Sequence, residues 1–483
     1  MVFEVQGRLI QGVLQMHDIK RRYITIALAI FILTIGWINI SNMSGLPLRQ
    51  SKVKPLDFPL PQKYCSVECP SSIPSSNIHQ DPSSEACPEY FRWIHEDLRP
   101  WKGAGITRET IEAAKKVAHL RVIIIQGRVY IQKFKKVFQT RDIITVWGIL
   151  QLLTLYPGKV PDLDLMFECN DFPVILKKDY QKGNSGYSIP PPVFHYCGDD
   201  SSFDIVFPDW SFWGWPELNI RPWEFLKRDL EQGNHVTNWL DRNPYAYWKG
   251  NTKLGLARQE LIRCNVSEKQ DWGARVFDME WQNEKKRGFR TSDLAHQCDY
   301  RYKIYVEGKS WSVSEKYILG CDSMTLIIAP QFYDFFTRSL IPTLHYWPIG
   351  HKDKCNAIKF AVDWGNQNPN KAQDIGKAAS KFIKEQLRMK FVYDYMFHLL
   401  NEYAKLLKYE PTIPDDAVEV CSDNMLCGAR GVRKSFRIDS RVNGPANESA
   451  CLLSPPFDQT TLQTFLMVKE KLIKEVEMMR QSS

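Results

Sequence analysis

The stretch YKIYVEGKSWSVSEKYILGCDSMTLIIA (Tyr302–Ala329) decides the fold. Lys303–Val306 reads as a strand and Gly308 opens a loop. Ser312-Val313-Ser314-Glu315 matches a capping box that starts a helix running to Cys321, and Met324–Ala329 reads as the next strand. Strand, helix and strand in so short a span predict a parallel pair joined by a crossover. The pattern continues outward. A helix is expected from Gln331, and helical segments dominate from Lys371 to Lys408. Upstream, Ala246-Tyr247-Trp248 is a short strand running into Lys249-Gly250-Asn251-Thr252 and a helix, while Pro222 and Gly233 bracket another helix.

The first half reads the same way. Thr107 is a helix N-cap ahead of Ile111 and Ala114, and Val122–Ile125 and Val129–Ile131 flank a Gln126-Gly127-Arg128 turn. Ile143, Val146, Trp147, Leu150 and Leu153 form a helical stripe ended by Pro157-Gly158. Leu163–Cys169 is a buried-type strand that turns at Asn170-Asp171-Phe172-Pro173. The expected class is therefore α/β, with parallel sheets covered by helices on both faces. A chain of 483 residues, at roughly 150 per domain, suggests two such units facing across a cleft, at 87–240 and 241–410. Residues 411–483 read as a tail with one amphipathic helix near Phe457–Met479, and 41–86 as a Ser/Pro-rich stem.

A 24% charged and 12% aromatic composition excludes a disordered or fibrous chain, and a dispersed net charge of +8 gives no support to a nucleic-acid partner. Tyr23–Ile40 (YITIALAIFILTIGWINI) carries no charge and spans about 27 Å as a helix, enough for a thin bilayer. Lys20-Arg21-Arg22 precede it, which places 1–22 in the cytosol and the body in a lumen. A cleaved signal peptide is the rival reading, but the apolar run is long and no small-x-small site follows promptly. All twelve cysteines lie beyond this segment, as suits an oxidising compartment, and no CxxC pair occurs. Asn265-Val266-Ser267 and Asn447-Glu448-Ser449 are glycosylation sequons. The C-terminus lacks a KDEL-type signal, so a type II Golgi membrane protein is expected, with the ER as the other address.

Ligands of open α/β sheets bind beyond the carboxyl ends of strands, and three places qualify. Asp171 directly follows a strand and can serve as general base toward an acceptor hydroxyl; the plain alternative is a turn-forming aspartate. Lys249-Gly250-Asn251 combines close backbone approach, a cation and a following helix start, which suits a phosphate but also makes an ordinary turn. Gly308, Ser310, Ser312 and Ser314 offer donors at a helix start, where the alternative is simple capping. Asp162 and Asp164 form a lone Asp-x-Asp of the type that holds a divalent ion, and the cluster around Trp210 and Trp223 can stack on sugars or fill a core. There is no HExxH, Gly-x-Ser-x-Gly or Walker-type loop.

Together, FDIVFPDWSFWGWP (Phe203–Pro216), YWKGNT (Tyr247–Thr252) and YKIYVEGKSWSVSEKYILGCDS (Tyr302–Ser323) resemble glycosyltransferase family 90. This is the Rumi-like and KDEL-containing family of protein O-glucosyltransferases, with related fungal capsule xylosyltransferases; the wording is of the plant type. The resemblance implies a GT-B fold of two Rossmann-like halves. It also implies metal-independent, inverting transfer of glucose or xylose from a UDP-sugar to a hydroxyl of a protein or glycan, with no cofactor. Asp171 matches the catalytic base. Phe212, Trp213 and Pro216 match a donor-lining segment, Gly250 a glycine beside the donor, and Ser312 a diphosphate-binding serine. Cys298 and Cys321 match a disulfide that clamps the donor loop. Lys249 and Ser314 stand where animal members carry arginines, and Trp215 where they carry glycine. Two other readings compete. One is a metal-dependent transferase using Asp162 and Asp164, and the other is a non-catalytic Golgi carbohydrate-binding or scaffold protein.

Overall fold

A computed structural model describes residues 68–70, 81–83, 85–181 and 188–482. The expected anchor Tyr23–Ile40 lies outside these residues. Within them no helix is long and apolar enough to cross a membrane.

The first half contributes strands β1 (Leu120–Ile125), β2 (Arg128–Lys133), β3 (Leu163–Phe167), β4 (Phe194–His195), β5 (Gly198–Asp199) and β6 (Ile205–Val206). The second contributes β7 (Asn243–Gly250), β8 (Ala274–Asp278), β9 (Tyr300–Tyr305), β10 (Met324–Ile328), β11 (Phe332–Tyr333) and β12 (Trp347–Ile349), with β13 (Val418–Val420) following the long helices. The second-half sheet has the order β12-β10-β9-β7-β8 and every pair is parallel, as the Tyr302–Ala329 pattern predicts. The first-half sheet, β13-β2-β1-β3-β4-β6, corrects the expectation of parallel strands throughout. Its β13, β2, β1 and β3 are antiparallel, and only β3, β4 and β6 are parallel. The cause is local. Gln126 and Gly127 both take left-handed backbone angles, φ 51° and 74°, and make a tight hairpin in place of a crossover.

Three other expectations change. Gly233 lies inside the helix Trp223–Val236 rather than past its end. Gln331 opens no helix; β11 follows and pairs antiparallel with β5, tying the two halves together. Ser312 does not cap the next helix, which runs Glu315–Leu319 with Ser314 as N-cap and no side-chain cap bond. The segment after Glu410 also holds more than one helix. Besides Gln459–Gln481 it contains Ser422–Cys427 and Val432–Asp439, and β13 adds an edge to the first sheet. Disulfides Cys69–Cys421 and Cys87–Cys451 fasten this segment to residues ahead of the first strand.

Two hydrophobic cores result. The larger one takes in the first sheet, the helix Met389–Ala404 and the inner faces of Trp311, Tyr317 and Ile318. The smaller one sandwiches β7, β9 and β10 against the helices Lys354–Gln367 and Pro369–Gln386. Helix Gln459–Gln481 touches both, with Leu462 and Phe465 packed on the first and Val476 buried in the second.

Candidate active site

β3 is buried along its whole length, so its carboxyl end delivers a chain that must turn while sealed from water. A polar network satisfies that turn. Glu168 lies 3.2 Å from His119 Nδ1 and 2.9 Å from His195 Nε2, and accepts the Asn170 N–H at 2.9 Å. Burial pushes the Glu168 carboxyl up, but the bonds from His119 and His195 outweigh it and hold the group at about 2. Asp171 emerges from this support with its side chain 34% exposed, its Oδ1 accepting from Arg141 Nη1 at 3.0 Å. Arg141 begins the helix Arg141–Leu155, is itself buried, and lies 4.2 Å over the Trp210 ring.

The cationic side is built from two loops and one arginine. β7 ends at Gly250, where an added Cβ would strike the Trp248 ring at 2.6 Å, so glycine is required for this path. Lys249 donates to the Thr291 carbonyl, and Asn251 turns to accept from the Lys253 N–H at 2.9 Å. The second loop, Gly308 to Ser314, follows β9. Its Gly308 carbonyl approaches Gly255 so closely that a Cβ there would sit 2.4 Å away, and Gly255 has φ 122°. That approach brings the helix Leu256–Leu261 and its Arg258 between the loops. Arg258 donates to the carbonyls of Glu307 (2.9 Å), Asn251 (3.4 Å) and Val306 (3.4 Å) and to Ser312 Oγ (3.2 Å). It is 8% exposed and has no carboxylate partner among the described residues. Burial pushes its pKa down to about 10, so it keeps its charge at neutral pH. A buried cation without a counter-ion is costly, and an arriving anion relieves that cost.

Contacts bring the two sides together. The Cys197 thiol lies against the Ser310 hydroxyl and donates to the Asp171 carbonyl at 3.5 Å. Trp311 packs on Trp210, ring centroids 6.0 Å apart, so the indole beneath Arg141 also supports the serine loop. Phe172 and Phe332 meet at 6.0 Å. Below, Lys316 reaches Asp209 at 3.1 Å and Ser211 at 2.7 Å, a fully buried tie between the halves. Cys298 and Cys321 are joined by a disulfide that brackets β9, the serine loop and its helix. Within the loop, Ser312 Oγ lies 2.9 Å from Ser314 Oγ.

Other sequence candidates are not brought here. Phe212 and Trp213 are each 1% exposed and belong to the core: the first meets Trp223 and Phe335 edge to face, the second donates to Tyr393 and packs on Gly148. An aromatic face that can stack on a sugar fills a core equally well. Pro216 faces Arg433 and Phe436 of the C-terminal segment. Asp164 is fully buried in a bidentate pair with Arg121 at 2.6 and 2.5 Å and accepts from Tyr409, whereas Asp162 caps Gln126 N–H at 2.7 Å. The Asp-x-Asp carboxylates therefore serve structure. Arg258 went unnoticed in the sequence. Its only local sign was its place on the helix that follows the Lys249-Gly250-Asn251 turn.

The family model described as glycosyl transferase family 90 matches residues 82–480. The chain is 25% identical to protein O-glucosyltransferase 1 of Homo sapiens, over 68% of this chain and 83% of that protein. It is 24% identical to O-glucosyltransferase rumi of Drosophila melanogaster, over 70% and 82% respectively. The O-glucosyltransferase rumi homolog of Aedes aegypti is 24% identical over 82% of this chain and 99% of its own length. With the match running from just ahead of Cys87 into the last helix, the chain belongs to glycosyl transferase family 90.

Proposed function

We propose that the chain is an inverting, metal-independent O-glycosyltransferase of GT-B type that moves glucose or xylose from a UDP-sugar to a hydroxyl of a protein. One observation carries the reading. A part-exposed carboxylate, Asp171, shares a tryptophan wall with the serine loop, and that loop is bonded through Ser312 to the buried Arg258, which has no carboxylate partner among the described residues. In this mechanism Asp171 takes the acceptor proton as the acceptor oxygen attacks the anomeric carbon and the bond to UDP breaks. Arg141 holds the carboxylate on its path. Arg258, Lys249 and the loop hydroxyls of Ser312 and Ser314 receive the negative charge that builds on the leaving diphosphate. The protein acceptor follows the names of the human and insect relatives.

We also place the body in the Golgi lumen behind the Tyr23–Ile40 anchor. The four disulfides among the described residues suit such an oxidising space.

A screen of UDP-glucose and UDP-xylose hydrolysis and transfer tests the enzyme reading. Activity that persists in EDTA and disappears in Asp171→Asn supports it, and failure to bind UDP in calorimetry defeats it.

A further inference from the structure

Helix Trp281–Lys286 follows β8 and so leaves the parallel sheet at the strands' carboxyl ends, beside the end of β7. The segment is fixed to the Lys249 loop. Met279 N–H donates to the Gly250 carbonyl at 2.8 Å, Lys249 donates to the Thr291 carbonyl, and Thr291 Oγ1 donates to the buried Glu284 at 2.5 Å. On this segment Lys285, Lys286, Arg287 and Arg290 are all exposed, and among the described residues none pairs with a carboxylate. Nearby acids are engaged by neutral donors: Asp278 by Thr252, Glu280 by Asn283 and Glu284 by Thr291. Phe277 stands next to Lys249 in the sheet register and is 44% exposed.

On the transferase reading above, Arg258 and Lys249 meet the donor pyrophosphate, and these four cations are additional to them. Asp278, Glu280, Glu284 and Asp293 flank these cations in the chain, so the attraction they offer is local: the run 285–290 itself holds four exposed positive charges and no acid, a cluster that draws an anionic partner at close range. The exposed Phe277, on the strand that leads into this segment, fits the mixed apolar and charged surface of a protein partner better than a bare polyanion.

We propose that Lys285, Lys286, Arg287 and Arg290 form a docking face for an acidic segment of the protein acceptor. The proposal rests on the transferase reading above and names the acceptor's chemistry.

The test uses the full chain, fluorescein-labelled poly-L-glutamate read by anisotropy, and UDP-sugar hydrolysis in parallel. Wild type should bind the polymer with an affinity that falls steeply as salt rises. The quadruple variant Lys285→Gln, Lys286→Gln, Arg287→Gln, Arg290→Gln should bind about tenfold or more weakly, with hydrolysis and melting temperature unchanged. A pairwise variant, Lys286→Gln with Arg290→Gln, guards against a folding defect and should show an intermediate loss. Unchanged polyglutamate binding with hydrolysis intact overturns the docking face alone. Tighter binding of polygalacturonate than of polyglutamate overturns the protein assignment in favour of an acidic glycan. A chain that binds no UDP-sugar, yet loses polyglutamate on neutralisation, overturns the transferase reading and leaves a surface for an acidic partner.

Discussion

The Asp171 carboxylate sits 3.0 Å from the Arg141 guanidinium, and that guanidinium is stacked 4.2 Å over Trp210. The indole in turn packs on Trp311 of the serine loop, so one aromatic wall backs the Arg141–Asp171 pair and supports the opposite loop. Changes to the two members of the ion pair should therefore differ in kind. Asp171→Asn removes the proton acceptor and should lower kcat by about 10²–10⁴-fold with UDP affinity intact. Arg141→Gln leaves the acceptor but frees its rotamer, and should lower kcat by about tenfold to a hundredfold with little effect on the donor KM. Steady-state kinetics on both variants decides it; a wild-type kcat in Asp171→Asn removes the base.

Arg258 is the residue that the proposed function places against the donor diphosphate. Its guanidinium is buried against carbonyls and Ser312 Oγ with no carboxylate among the described residues. Arg258→Met removes the cost of the buried charge but also four hydrogen bonds, so the ligand-free melting temperature should move little compared with the loss of the UDP-induced shift. The same change should weaken UDP binding by roughly 1.5–3 kcal/mol, the range for hydrogen bonds to charged groups. Thermal shift with and without UDP reads both effects. A full UDP-induced shift in Arg258→Met would show that the diphosphate lies elsewhere.

The two sequons differ in what folding leaves free. Asn265 is bonded at both ends of its amide to Val276, Nδ2 donating at 3.0 Å and Oδ1 accepting at 3.0 Å. Asn447 is exposed, and among the described residues only its backbone carbonyl is engaged, by Asp81. A secreted or lumenal preparation should carry its glycan at Asn447, so Asn447→Gln should remove one glycosidase-sensitive mass step. Asn265→Gln should remove none but cost about 0.5–1.5 kcal/mol in urea unfolding, through two lost part-buried bonds. Peptide mapping that finds Asn265 occupied would contradict this.

What the sequence made legible is local. The β9–loop–helix–β10 unit, the Gln126-Gly127 hairpin and the Thr107 cap all arise from neighbouring residues, and the structure has each of them. What stayed hidden depends on distant partners. β13 joins β2 through Val418 and Ile131, far apart in sequence, and β4 and β6 are two residues each, too short to show a periodicity. The Glu168, His119 and His195 support under Asp171 needs three separate segments to meet, so none of its members stands out alone. Phe212 and Trp213 show the reverse error: their motif is specific, yet aromatic residues spaced for recognition are also those that best fill a core.

Lys303 provides a pH test of the second-half sheet. Its ammonium is buried 3.5 Å from the Cys321 sulfur, behind the bridge to Cys298. Burial is the main cause and Arg242 adds to it, against a smaller pull from Asp299, so its pKa falls to about 7. The unfolded lysine titrates near about 10.4, so between the two values the unfolded chain binds more protons. This lysine therefore makes stability rise with pH across that window, with its full penalty present below about pH 7 and gone above the unfolded value. Asp334, pushed up to about 7 mainly by burial, acts with the opposite sign, so the informative quantity is a difference between variants. Lys303→Met should exceed wild type by on the order of 2–4 kcal/mol at about pH 7, and the gap should narrow toward about pH 9. Urea unfolding at several pH values measures it. A gap that does not change with pH would assign the effect to packing beside the disulfide rather than to the buried charge.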